Sequence, residues 1–328
     1  MAKIAVVGAG LAGMTAAARL VEAGHEARVF EAEAEVGGRT CSAPFGSHWV
    51  NLGAQYLAGD DTPAVRLARK HNLPTMVLGE SAIAVHRGGR TVVSRSLPIL
   101  LCRLPLSLRG RWSVVRGGLR LERLRAGLGQ LSKPELRALD AQSFGALIGK
   151  VHPEAGELFR SMAVRMACGE PEEMSALLGL SWTPSFRPRL LGGHRPQRIL
   201  AVVGGTGRLA QTLASGLPSP PRLSTRVTRV QSRPQGVVIE TEHEAHTADA
   251  VVLSTPAAAT AKIAASLNPA LKERLAAVRY GSFVVVGFAF DQSPPFPWDR
   301  VYAVQVAEPP FHAAINETWP LQHSDEPV

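Results

Sequence analysis

"KIAVVGAGLAGMTAAARL", residues 3–20, decides the fold. Ile4 to Val7 is a short β-branched and apolar run, the pattern of a buried parallel strand. Gly8, Gly10 and Gly13 follow with the spacing G-x-G-x-x-G. Gly8 gives a tight turn, Gly10 leaves room for a pyrophosphate against the backbone, and Gly13 lets the next helix lie close on the strand. Leu11 to Ala23 reads as an alanine-rich helix. Its N–H groups and dipole make Gly8, Ala9, Gly10, Leu11, Ala12 and Gly13 the expected phosphate cradle. Ala23-Gly24-His25 ends that helix, and Glu26 to Phe30 reads as a second strand. Glu31 then stands 18 residues after Gly13, where a carboxylate, with Ala32 beside it, meets ribose hydroxyls. A glycine-rich turn in an unrelated α/β domain accounts for the glycines but not for the acid at that distance. The order strand, turn, helix, strand, acid therefore reads as a dinucleotide-binding α/β unit.

The next residues choose the dinucleotide. "EAEAEVGGRTCS", residues 31–42, carries Gly37-Gly38-Arg39, and Arg39 can give the cationic help that the pyrophosphate needs in a dinucleotide longer when bound than a nicotinamide cofactor. "GSHWVNLGAQYL", residues 46–57, places Gly53 and Ala54 where a flat ring needs close backbone approach, followed by Gln55 and Tyr56. With these four elements in order, the sequence resembles the FAD-dependent amine oxidase superfamily, which includes monoamine oxidases, protoporphyrinogen oxidases and phytoene desaturases. Asn51 departs from the acid that members often carry there. Downstream, "VGGTGRLAQTLASGL" (residues 203–217), the strands around "TRVTRV" and "GVVIETE", and "HTADAVVLSTPAAA" (residues 246–259) follow the order of the same group. The resemblance implies non-covalent FAD and backbone contact of Val227 with adenine.

The implied fold is α/β: a Rossmann-like FAD-binding domain with an inserted α+β substrate domain. The expected boundaries are 1–60 plus 195–265 for the FAD-binding domain and 61–194 plus 266–328 for the substrate domain. The insertion should be mostly helical, with helical spacing in "TPAVRLARKHN", "SKPELRALDAQSFGALIGKV" and "PEEMSALLGLSW". Members of the group end in a Gly-Asp element against the flavin. This sequence shows none, and the expectation is a chain lacking the C-terminal part.

Composition adds a second theme. The chain has 328 residues, a net charge of +9 and a pI near 10.1, a balance that favours an anionic partner. Cys41, Cys102 and Cys168 are scattered without metal-ligand spacing, so unpaired thiols and no metal site are expected. Residues 94–125 hold eight arginines, no lysine and a single acid, Glu122, among many leucines and Trp112. That mix suits an anionic membrane surface, with leucines in the acyl boundary and arginines on head groups. A pair of solvated surface helices fits it equally. Nucleic acid is not expected, since aromatics are few and no binding motif occurs. No stretch long and apolar enough for a membrane span is present. The location expected is the cytoplasm, with peripheral attachment to the inner face of a membrane.

"RYGSFVVVGFAF", residues 279–290, reads as a central strand of the substrate domain. Amine-oxidising members of the group carry a lysine there, near flavin N5, whereas Val284 and Val285 stand here. On that ground the leading expectation is hydride transfer from a small apolar or polycyclic substrate, as in protoporphyrinogen oxidases and desaturases. Flavin amine or amino-acid oxidation is the alternative, and a non-catalytic flavin-binding module that docks on membranes is a third. No catalytic acid or base is assigned, because His48, His71, His86, His152 and His194 have no motif context.

Overall fold

The computed structural model describes residues 1–46, 48–59, 61–78, 83–94, 96–183, 199–288, 301–308 and 310–317. His194, Arg95 and the last two residues of "SFVVVGFAF" lie outside the described residues. In chain order the elements are β1 (Lys3–Val7), α1 (Leu11–Glu22), β2 (Glu26–Phe30), β3 (Ser42–Phe45), β4 (His48–Asn51), β5 (Leu57–Ala58), α2 (Pro63–Lys70), β6 (Thr75–Val77), β7 (Ile83–Arg87) and β8 (Arg90–Ser94). The helical stretch follows with α3 (Leu97–Arg103), α4 (Leu108–Gly127), α5 (Lys133–Asp140), α6 (Phe144–Ile148), α7 (Pro153–Ala167) and α8 (Ala176–Trp182). Then come β9 (Ile199–Val202), α9 (Arg208–Ser215), β10 (Val227–Arg233), β11 (Gly236–Thr241), β12 (Ala245–Ala248), β13 (Ala250–Leu253), α10 (Ala257–Ile263), α11 (Pro269–Ala276), β14 (Ala303–Val306) and β15 (Ala313–Ile315).

The chain divides into two compact units. One comprises Met1–Val77 with Arg198–Arg279, the other Leu78–Gln197 with Tyr280–His323. In the first, β1 is the middle of a parallel sheet in the order β13-β1-β2. β1 and β13 read as largely apolar runs because the sheet is covered, whereas the edge strand β2 carries Glu26 and Arg28. Val6, Met14, Ala17, Val29, Ala210 and Leu213 form the core between sheet, α1 and α9. The antiparallel sheet β10-β11-β12 packs over the other side, where Ala5, Val7, Phe30, Val227, Val230 and Ile239 are buried. A third sheet, β5-β9-β6, joins the two chain segments of this unit by antiparallel pairing of Leu57 with Leu200 and of Met76 with Ala201.

The second unit carries a mixed sheet in the order β15-β14-β7-β8, with β14 parallel to β7, against a cluster of helices. "SKPELRALDAQSFGALIGKV" forms two helices, because Ser132 and Ser143 each cap a new start. Helix α8 occupies only the second half of "PEEMSALLGLSW", where Ser175 caps it.

Two expectations are corrected here. The described residues 281–288 form no strand, and their side chains other than that of half-buried Val285 are open to water: Val284 is 87% exposed and Phe288 74%. An apolar run becomes a strand only where neighbouring strands take its N–H and C=O groups, and the sheet of this unit is completed by β14 and β15 instead. The leucines of 94–125, expected at an acyl boundary, are mostly core. Leu97, Leu100, Leu101, Leu104 and Leu106 are buried with Phe144, Leu158 and Phe159. Their spacing of i, i+3, i+4 and i+7 is that of a helix face turned to a core.

Candidate functional site

The site is built on the crossing of β1, the turn after it, and α1. Gly8 has φ +101°, a left-handed conformation that favours glycine, and its N–H donates to Phe30 O at 2.8 Å. Ser254, just beyond β13, fixes the turn from the other side. Its N–H donates to Val7 O and its hydroxyl lies 2.9 Å from both Val7 O and Gly8 O. A Cβ on Gly13 would run into Gly8 O and the Ser254 hydroxyl, so α1 sits as close to the turn as backbone allows. Helix α1 starts at Gly10 with no side chain capping it and no acid in its first turn. Its first N–H groups and positive dipole end are thus left for an anion.

Glu31 follows the last residue of β2. Its Oε2 accepts from the Ala9 N–H at 2.6 Å and its Oε1 from the Glu33 N–H at 3.0 Å. The segment leading into β10 runs alongside, with Glu31 N–H donating to Arg222 O and Thr225 N–H to Glu31 O. Between these strands and α10 opens a cavity of about 460 Å³, lined among others by Gly8, Glu31, Ala32, Val227, Thr255 and Lys262. Four of the residues singled out in the sequence thus meet at one cavity, though they come from chain segments some 195 positions apart. Thr255 and Lys262 were not foreseen, since nothing local marks a residue that a sheet brings in from so far away.

The Gly-Gly-Arg stretch closes on the turn. Gly37 N–H donates to Ala9 O at 2.9 Å, Gly10 and Gly37 form a parallel bridge, and a Cβ on Gly38 would lie 3.3 Å from Gly10 Cα. Arg39 takes its place in a single 3₁₀ turn, Gly38–Thr40, and its carbonyl accepts from the Ala54 N–H at 3.0 Å. Gly53 lies so tightly on that carbonyl that a Cβ would collide with it. Gln55 Nε2 donates to Asn51 O and Gly53 O, while its buried Oε1 has no partner. Ala9 to Gly13, Gly38, Arg39 and Gly53 to Tyr56 do not line the 460 Å³ cavity. They form the adjoining backbone layer, and Leu11 turns its side chain into the core.

Asn51 has a part that the sequence did not reveal. It is buried, and its Oδ1 lies within 2.7–3.2 Å of the Ser42 hydroxyl, the Thr206 N–H and the Thr206 hydroxyl. Thr206 is itself fully buried and its hydroxyl also reaches Ala54 O at 2.7 Å. This network fastens the Gly53–Ala54 backbone to the turn before α9.

The residues fit a dinucleotide. The open helix start, the space beside Gly10 (where the nearest atom to an added Cβ is Gly37 O at 4.0 Å), and the Glu31 carboxylate on the cavity wall are the features such a ligand uses. The sequence profile of the flavin containing amine oxidoreductases matches residues 11–319. The chain belongs to this family.

Family members are flavin-containing oxidoreductases, and the α/β fold with a dinucleotide-binding unit agrees with that membership. A protein of Mycobacterium tuberculosis, AofH, assigned in name only to the flavin-containing monoamine oxidases, is 27% identical over 281 residues, covering 82% of this chain and 59% of its own. Flavin-containing amine oxidase A of Canis lupus familiaris is 25% identical over 273 residues, 80% of this chain and 51% of its own. Among solved structures, cyclohexylamine oxidase from Brevibacterium oxydans superposes with a TM-score of 0.68 at 19% identity, over 84% of this chain and 63% of that one. The chain spans between half and two thirds of the length of these relatives.

Proposed function

We propose that the chain binds FAD non-covalently and serves the oxidation of an amine. The 460 Å³ cavity carries the first half of this reading, because it joins Gly8, Glu31 and Val227 on one wall system of the size small ligands use. In this reading Gly8 to Gly13 hold the pyrophosphate, Glu31 and Ala32 the ribose, and Val227 the adenine. Gly38, Arg39 and Gly53 to Tyr56 continue the site toward the flavin ring. When bound, the flavin supplies the hydride acceptor, while the protein binds, orients and shields.

The choice of amine over an apolar or polycyclic substrate follows from two points. The case for the latter rested on Val284 and Val285 standing at the lysine position of a central strand, and residues 281–288 form no strand. Curated relatives of the chain are named for amine oxidation, flavin-containing amine oxidase A and putrescine oxidase among them, while a fatty acid isomerase shares the fold. The amine's α-carbon would give up a hydride to the bound flavin and its nitrogen a proton, leaving an imine that water would convert to a carbonyl with release of ammonia or the remaining amine. FAD-loaded protein mixed anaerobically with benzylamine or putrescine should lose its oxidised-flavin absorbance. Bleaching by a porphyrinogen but not by any amine would return the apolar-substrate reading. Bound FAD that no substrate reduces would leave a binding module.

A further inference from the structure

The outward face of α4 has no part in the proposed flavin site. Its buried face is made of Gly110, Val114, Gly117, Gly118 and Leu121. Opposite lie Arg109, Trp112, Arg116, Arg120 and Arg123, all exposed, at intervals of three and four residues and so on one face. Among the described residues this face bears no acid, and Glu122 is half-buried to its side. Arg116 lies over the Trp112 ring, 5.1 Å from its centroid, and Arg120 donates to Leu147 O. Trp112 is 62% exposed and Leu108, one turn before it, 80%.

We propose that this face of α4 docks on an anionic lipid surface. Four guanidinium groups spaced over about 21 Å of helix repel one another in the absence of a counter-charge. A layer of anionic head groups supplies that charge along the whole row. The apolar side chains decide between lipid and nucleic acid. Trp112 is of the kind that settles at a head-group boundary, and Leu108, with Ile99 of α3 also exposed, gains from hydrocarbon and not from phosphodiester backbone. Since Leu97, Leu100, Leu101, Leu104 and Leu106 are core, insertion is confined to these few side chains and the attachment is chiefly electrostatic. Arg111 takes no part: it is half-buried, with one Nη 3.4 Å from Leu104 O. No helix among the described residues is long and apolar enough to cross a membrane, so the contact is one of surface with surface.

The test is sedimentation of the whole chain with phosphatidylcholine vesicles, with and without phosphatidylglycerol. Binding is expected on the phosphatidylglycerol vesicles alone and should vanish in high salt. The triple variant Arg109→Gln, Arg116→Gln, Arg123→Gln should lower partitioning on the order of 100-fold. A control triple, Arg69→Gln, Arg233→Gln, Arg274→Gln, removes the same charge from other exposed sites and should keep most of the binding. Brominated lipid should quench tryptophan emission in the parent and much less in Trp112→Phe. Equal losses in the two triple variants, or equal binding to neutral vesicles, would overturn the assignment. So would binding to duplex DNA in preference to the anionic vesicles, which would make the face a nucleic-acid surface.

Discussion

Helix α1 starts at Gly10 with no side chain over its first N–H groups, whereas helix α4 starts at Ser107 with its first turn closed. There the Ser107 hydroxyl accepts from the Gly110 N–H at 3.0 Å, and Glu154 of α7 accepts from the Ser107 N–H and hydroxyl. Each helix has a glycine in its first turn against which a Cβ would collide, but with different neighbours. Gly13 faces a backbone carbonyl, Gly8 O, while Gly110 faces the tip of the Glu154 side chain. A helix start satisfied by its own protein is a structural joint. One held rigidly by backbone packing, with its N–H groups left over, is arranged for something that the chain does not supply.

The contrast breaks most sharply on the two glycines. Gly13→Ala meets a backbone carbonyl, Gly8 O, that cannot turn aside, and should cost about 3 kcal/mol of stability. Its melting temperature should fall and FAD binding should go with it. Gly110→Ala needs only a rotation of Glu154. The lost hydrogen bonds cost about 1–2 kcal/mol, and alanine's helix propensity offsets about 1 kcal/mol. A melting temperature close to the parent is therefore expected, with FAD binding intact. Equal destabilisation by both substitutions would erase the distinction.

A smaller effect concerns Glu154 alone. The Ser107 hydroxyl holds its carboxyl below the usual glutamate range, against some loss of hydration. A carboxyl lowered in the folded state adds stability above its unfolded pKa, about 4.3, and loses it as pH falls through the lowered value. Glu154→Gln should thus be less stable than the parent near pH 7 by about 1 kcal/mol. The gap should close in acid below the glutamate range. Thermal melts of both proteins from neutral pH downward would show this, and a gap independent of pH would assign the contact to packing rather than charge.

Sequence reading succeeded where backbone meets backbone within a short span. β2 and its following acid fall where the spacing placed them, and α1 ends within a residue of its expected stop. It failed where the partner is distant. Ser254 on Gly8 and Thr206 on Asn51 are joined by folding alone, across 246 and 155 positions. It also failed at 281–288, because an apolar run does not state whether neighbouring strands will receive it. The leucines of α3 are a different case. Their helical spacing was present in the sequence, and the arginines that flank and follow them drew the reading outward.

The central claim is that the cavity beside Glu31 receives the adenosine half of FAD. Titration of the chain with FAD, followed by flavin fluorescence and repeated in the presence of ADP, tests it most directly. ADP should displace FAD while FMN, which lacks the adenosine half, should not. Glu31→Ala should weaken FAD by ~1.5–3 kcal/mol through the lost charged hydrogen bonds. That corresponds to a rise in Kd of roughly 10- to 100-fold. Displacement by FMN but not by ADP, with an unchanged Kd in Glu31→Ala, would contradict the account.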